Sequence, residues 1–210
     1  MTDDVIKESD QTFHSELLIQ VVEDAVRVFD ASPFHPLPPS DRFVGSGILA
    51  LYYTGDFPAY QALSRLTQAE HPHPIYVGMA IPARWRTGTA PARSKPDLYK
   101  RLLQHAQTIE AAQNLNLGDF RCRFIILNGL ESELIGAVAE ALILRYKPIW
   151  NTVVSGFGMT NAGDVMRSRT AWDTLHPGRA WATRMAIRGS NSQGILTEIG
   201  EAMTELPRTS

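Results

Sequence analysis

Two short, apolar, β-prone runs constrain this chain more than any other feature: residues 47–53 (GILALYY) and 74–79 (PIYVGM), each bounded by glycine or proline. Between them, residues 58–70 carry Tyr60, Leu63 and Leu66 at helical spacing. Pro58 opens that segment, and its fixed φ suits a first helical turn. A third run, 120–127, alternates like a strand. Residues 97–113 set Leu98, Leu102, Ile109 and Ala112 on one stripe of a helix opened by Asp97. Residues 131–146 are apolar at nearly every helical position, which predicts a largely buried helix stopped by Pro148. Helices follow strands without regular βαβ alternation, so the expected fold class is α+β: a small central β-sheet flanked by helices.

Both ends differ from this core. Residues 13–29 space Phe13, Leu17, Leu18, Val21, Val22, Ala25 and Val28 as an amphipathic helix. Four prolines in 32–41 (SPFHPLPPSD) then read as an extended linker. Beyond Asn151 the texture turns to glycine, arginine, serine and tryptophan, with little period until a short helix near 195–205. The expected organisation is an N-terminal helix and linker (1–41), a core with an inserted helix (42–152), and an irregular extension of the same globular unit (153–210).

Composition excludes some chemistry. No apolar run approaches the roughly 20 residues that cross a bilayer. The acidic start MTDDVIKESD is unlike a signal peptide, so a soluble cytoplasmic protein is expected. The single cysteine, Cys122, reads as a buried structural thiol and cannot build a thiolate metal site. The net charge of −2 speaks against a polyanionic partner, but it hides a segregation of sign. Residues 1–30 carry −6, residues 84–101 carry +5 and residues 145–189 carry +5. A polyanion feels such local patches, within a Debye length of about 8–10 Å, more than the average.

Four residue groups can carry chemistry. Glu140 interrupts an apolar helix, where a desolvated carboxylate needs a metal or a core arginine; both readings stay open. Arg101 and His105, four apart on one helix face, combine a phosphate grip with a side chain that exchanges protons near neutrality; a solvated face is the plainer reading. Tyr76 precedes Gly78 on a strand, where the glycine permits close backbone approach. His71-Pro72-His73 and His176-Pro177-Gly178 read as solvated turns.

Taken in order, these motifs resemble the GIY-YIG nuclease superfamily. Gly47-Ile48-Leu49 and Tyr76-Val77-Gly78 resemble its two naming strands, Arg101-Leu102-Leu103-Gln104-His105 its Arg-Leu-x-x-His helix, Glu140 its helical glutamate, and Pro148-Ile149-Trp150-Asn151 its closing Pro-x-x-Asn. The tail 156–181 is similar to the extension of the superfamily's type II restriction endonucleases. Val77 replaces isoleucine. The 58–70 insertion lengthens the spacing between the two strand motifs. At position 49 leucine stands where the family has a catalytic tyrosine acting on the attacking water.

The resemblance implies hydrolysis of a phosphodiester in double-stranded DNA, at a GC-rich palindromic site such as CCGCGG, with one Mg²⁺ on Glu140. Leu49, Tyr76, Arg101, His105, Glu140 and Asn151 would form the catalytic set. Arg101 would hold the scissile phosphate, Tyr76 would position water, His105 would relay a proton, and Asn151 would tie the helix end to the sheet. With Leu49 in place the chain is expected to be catalytically impaired. Arg84, Arg86, Arg93, Lys95, Arg167, Arg169 and Arg179 are the candidate DNA contacts, since arginine reads guanine in the major groove. Cutting both strands of a palindrome implies a homodimer, with the N-terminal helix as a candidate arm. The competing readings are a non-enzymatic DNA-binding protein that kept the fold, a structure-specific repair-type nuclease, and an α+β protein binding a small anion.

Overall fold

A computed structural model describes residues 11–67, 72–82, 97–159, 168–186, 189 and 191–205. Strand β2 (Gly47–Tyr53) is apolar or aromatic at nearly every position, and all seven of its residues are buried. A strand without a wet face belongs inside a sheet covered on both sides. β2 pairs antiparallel with β3 (Tyr76–Ala80) on one side and β4 (Phe120–Ile126) on the other. Gly47 lies at φ +155°, and a side chain there would collide with the carbonyl oxygen of Ile125, so this close approach of β2 to β4 requires glycine. His35 and Pro36 form a short β1 against β4, completing the order β1-β4-β2-β3. The proline-rich segment is therefore more than a linker. It supplies an edge strand, where a sheet tolerates proline.

Alternate residues of β2 feed two cores. Leu49, Leu51 and Tyr53 pack with the inserted helix α2 (Gln61–Thr67) and with α3 (Asp97–Ala111), while Ile48, Ala50 and Tyr52 pack with α1 (Glu16–Ala31) and α4 (Ile135–Tyr146). In α1 the hydroxyl of Ser15 caps Leu18 N–H at 3.3 Å, and Val26 and Phe29 are buried. Arg145 and Tyr146 of α4 hold α1 through Glu23 at 2.6 Å and Asp30 at 2.8 Å. Phe13, Leu17, Ile19 and Val28 stay exposed, so packing covers only part of the apolar stripe of α1.

Helix α4 departs from expectation. It begins at Ile135 after a 3-10 segment, Gly129–Leu134, and buries one face: Ile135, Val138, Ala139 and Leu142. Leu144 is 70% exposed, so the helix lies on the sheet instead of inside the core. The helix ends at Lys147 in the left-handed conformation, followed by Pro148.

The tail is more ordered than its composition suggests. After α5 (Ile149–Thr152) closes the core, it contributes α6 (Ala171–Leu175) and α7 (Ser192–Thr204). Val154, Phe157, Trp172, Leu175, Ile195 and Ile199 share one core with Leu49 and Tyr76. Trp150 and Trp172 meet edge to face at 5.8 Å, a pairing that adds about 1 kcal/mol beyond burial. His176 is fully buried, correcting its reading as a solvated turn. Its Nε2 accepts from the Tyr60 hydroxyl at 2.7 Å, Nδ1–H donates to Asn114 Oδ1 at 2.9 Å, and the Trp150 indole N–H donates to the same Tyr60 oxygen at 2.9 Å. His73 is likewise buried, against Tyr146. No helix among the described residues is long and apolar enough to cross a membrane.

Candidate active site

The buried stripe of α3, Leu98, Leu102, His105, Ala106 and Ile109, packs the helix against the sheet face that carries Leu49 and Tyr76. Four residues apart on this helix, Arg101 and His105 come to Tyr76 together. The His105 ring stands edge-on to Tyr76 at 5.1 Å and stacks on Phe157 at 4.8 Å. Arg101 donates from Nη2 to the carbonyl of Gly158 at 2.8 Å. Arg101 Nε and His105 Nε2 are buried and have no hydrogen-bond partner. An unsatisfied buried polar atom costs about 1–3 kcal/mol, so each of these atoms on the two residues that meet Tyr76 is open to a partner.

Burial first, and the Arg101 charge second, push the His105 pKa down to about 3. The imidazole is thus neutral through the neutral range, with its buried Nε2 unpartnered. Burial raises the Tyr76 phenol above the ordinary tyrosine range, while Arg101 opposes that shift by its charge and a hydrogen bond.

Two further contacts fix Tyr76. Asn151 grips the adjoining residue on the edge strand, accepting from Val77 N–H at 2.8 Å and donating to Val77 C=O at 2.9 Å. Gly158 passes so close that a Cβ there would lie 2.5 Å from the Tyr76 hydroxyl. Leu49 sits on the same sheet face, opposite Gly78 and fully buried. It has no polar group to offer the site.

Glu140 belongs to another element, α4. It is exposed on α4, outside that helix's buried face, so the burial argument that singled it out does not hold. Among the described residues no hydrogen bond or ion pair engages its carboxylate, and none joins it to Tyr76, Arg101 or His105. No group of three or more His, Cys, Asp or Glu residues able to hold a metal occurs among the described residues. A free single carboxylate fits Mg²⁺, which keeps several waters and takes one or two protein carboxylates.

The basic candidates divide. Arg84, Arg86, Arg93, Lys95 and Arg167 lie outside the described residues. Arg169 donates to the carbonyls of Ala182 at 2.9 Å and Thr183 at 3.1 Å, bracing the tail. Arg179, 5% exposed, is bonded to Asp173 and to the carbonyls of Gly156, Phe157 and Met159. It has no donor left for a DNA base. Arg145 is ion-paired to α1. Summing charge along the tail therefore overstates what faces solvent.

Sequence reasoning missed Phe157, Gly158 and the Asp173–Arg179 pair. The GFG triplet at 156–158 was the available signal, because two glycines around an aromatic fit a loop that crosses a site closely. The model of the Eco29kI GIY-YIG domain matches residues 41–203, well over half the chain. Comparison with curated proteins returned no match.

Proposed function

From the chain's membership of the Eco29kI GIY-YIG family, a family of restriction-type DNA endonucleases, we propose that it is a type II restriction endonuclease acting on a GC-rich palindromic duplex, CCGCGG, and impaired by Leu49. The observation that carries this reading is the convergence of Tyr76, Arg101 and His105 on one spot, with Arg101 Nε and His105 Nε2 buried and unpartnered beside the phenol. A solvated helix face would leave neither atom dry.

Each residue has a task that its setting supports. The Arg101 guanidinium neutralises charge on a phosphate oxygen as the pentacovalent state forms. The Tyr76 phenol, held protonated, orients the attacking water by hydrogen bonding. Neutral His105 accepts through Nε2 and holds a polar hydrogen in place. Asn151 keeps β3 at its station. Glu140 would hold a divalent cation, whose chemistry is stabilisation of the leaving oxygen. Leu49 supplies no group to deprotonate water, and this removes a catalytic contribution of about 10²–10⁴-fold. Cleavage of both strands calls for a twofold dimer, and the exposed apolar residues of α1 support that arrangement.

The buried, apolar Leu49 also favours a second reading, a DNA-binding protein that does not cut. Binding of the chain to a duplex with CCGCGG and to a scrambled duplex, across a salt series, tests both. Preference for CCGCGG with a steep negative salt slope supports site-specific recognition. Equal, salt-insensitive binding contradicts both readings.

A further inference from the structure

We infer that Arg179, locked to Asp173, is a positioning residue for the active site: it shapes the 156–159 loop that sets Arg101 against Tyr76 and closes over His105. This rests on the nuclease reading for its catalytic meaning, though the geometry stands alone. All five N–H groups of Arg179 are used. Two go to the Asp173 carboxylate at 2.6 Å, and three go to the carbonyls of Gly156 at 3.0 Å, Phe157 at 3.3 Å and Met159 at 2.7 Å. The guanidinium is also sandwiched by the Trp172 and Trp181 rings, at 4.7 and 4.6 Å. A planar fork satisfying three carbonyls of one loop and a carboxylate is a task lysine cannot perform. Asp173 is fixed in turn by Thr170, whose hydroxyl donates to it at 2.6 Å.

What the loop presents on its other side is the site itself. Phe157 stacks on His105 and stands edge-on to Tyr76 at 4.9 Å, and the Gly158 carbonyl receives Arg101. Thus the tail reaches the site through backbone shape, with Arg179 as the clamp behind it. A displacement of about 1 Å in such a support costs about 100-fold in rate.

The test uses Arg179→Lys in the full chain carrying Leu49→Tyr, with Gly158→Ala as a second route. The new Cβ of Gly158→Ala presses on the Tyr76 hydroxyl, so this variant displaces the same loop from its site side. The expected result is that kcat on cognate duplex falls about 100-fold at unchanged KM, and the His105 ring titrates by NMR closer to an ordinary histidine. If Arg179→Lys does not fold, Gly158→Ala must show both effects. Unchanged kcat and His105 titration in either folded variant overturns the proposal, as does a change confined to melting temperature. Should Leu49→Tyr cut no DNA, the nuclease reading fails, while the His105 titration still decides the positioning role.

Discussion

Leu49 lies directly opposite Gly78 in the β2–β3 pairing, and the Tyr76 ring leans over that glycine, so that a Cβ on Gly78 would stand 2.8 Å from the ring. Opposed residues of an antiparallel pair share a face. The glycine therefore makes room for one phenol, Tyr76, and a side chain at 49 borders the same space. Leucine at 49 offers that space no hydroxyl and leaves the packing apolar.

Gly78→Ala tests the ring's placement. The methyl forces the Tyr76 ring aside in a packed core, which costs about 1–3 kcal/mol. Urea unfolding is expected to show that loss, and the Tyr76–His105 ring contact seen in aromatic NOEs is expected to weaken. An unchanged midpoint with intact NOEs would show that Gly78 is not the seat of the ring.

Glu140→Ala separates metal from fold. The residue is exposed, so its removal should change stability by less than about 0.5 kcal/mol. In the Leu49→Tyr background, Mg²⁺-dependent cleavage should be abolished while affinity for duplex DNA persists. Full cleavage by Glu140→Ala would remove this carboxylate from the metal site.

Stability should fall on mild acidification. Burial holds His105 and His176 at about 3, below their ordinary 6.5. Both are neutral when folded and bind protons more readily when unfolded. Their contribution is complete above pH 6.5 and is lost as pH falls from there towards 3, at up to about 1.4 kcal/mol per pH unit for each. Urea midpoints at pH 7.5 and 5 should show the decline, and His176→Gln should reduce it. A midpoint independent of pH over this range would contradict the buried neutral histidines.

The strands and the α3 helix were legible because their signals are local. β2 occupies the 47–53 run, and α3 starts at Asp97. Arg101, His105 and Tyr76 were recoverable because i,i+4 spacing and strand alternation fix which side chains share a face. The tail was not legible. Its glycine-rich composition conceals a core held by Trp150, Trp172 and Phe157, and these contacts span distant segments that no local period encodes. Glu140 and Arg179 depart from their expected burial in opposite directions. A carboxylate in an apolar helix faces solvent, because α4 buries only one stripe. An arginine in a basic tail is internal, because Asp173 lies six residues before it and folds back onto it. Charge read along a chain does not report which charges are already paired.

Position 49 decides the proposed chemistry, and the most direct test compares the single-turnover rate of cleavage of a CCGCGG duplex with Mg²⁺ by the chain and by Leu49→Tyr. A rise of about 10²-fold or more on restoring the phenol, with discrete cutting at that site, is the predicted result. Equal rates, or cutting without site preference, would contradict it.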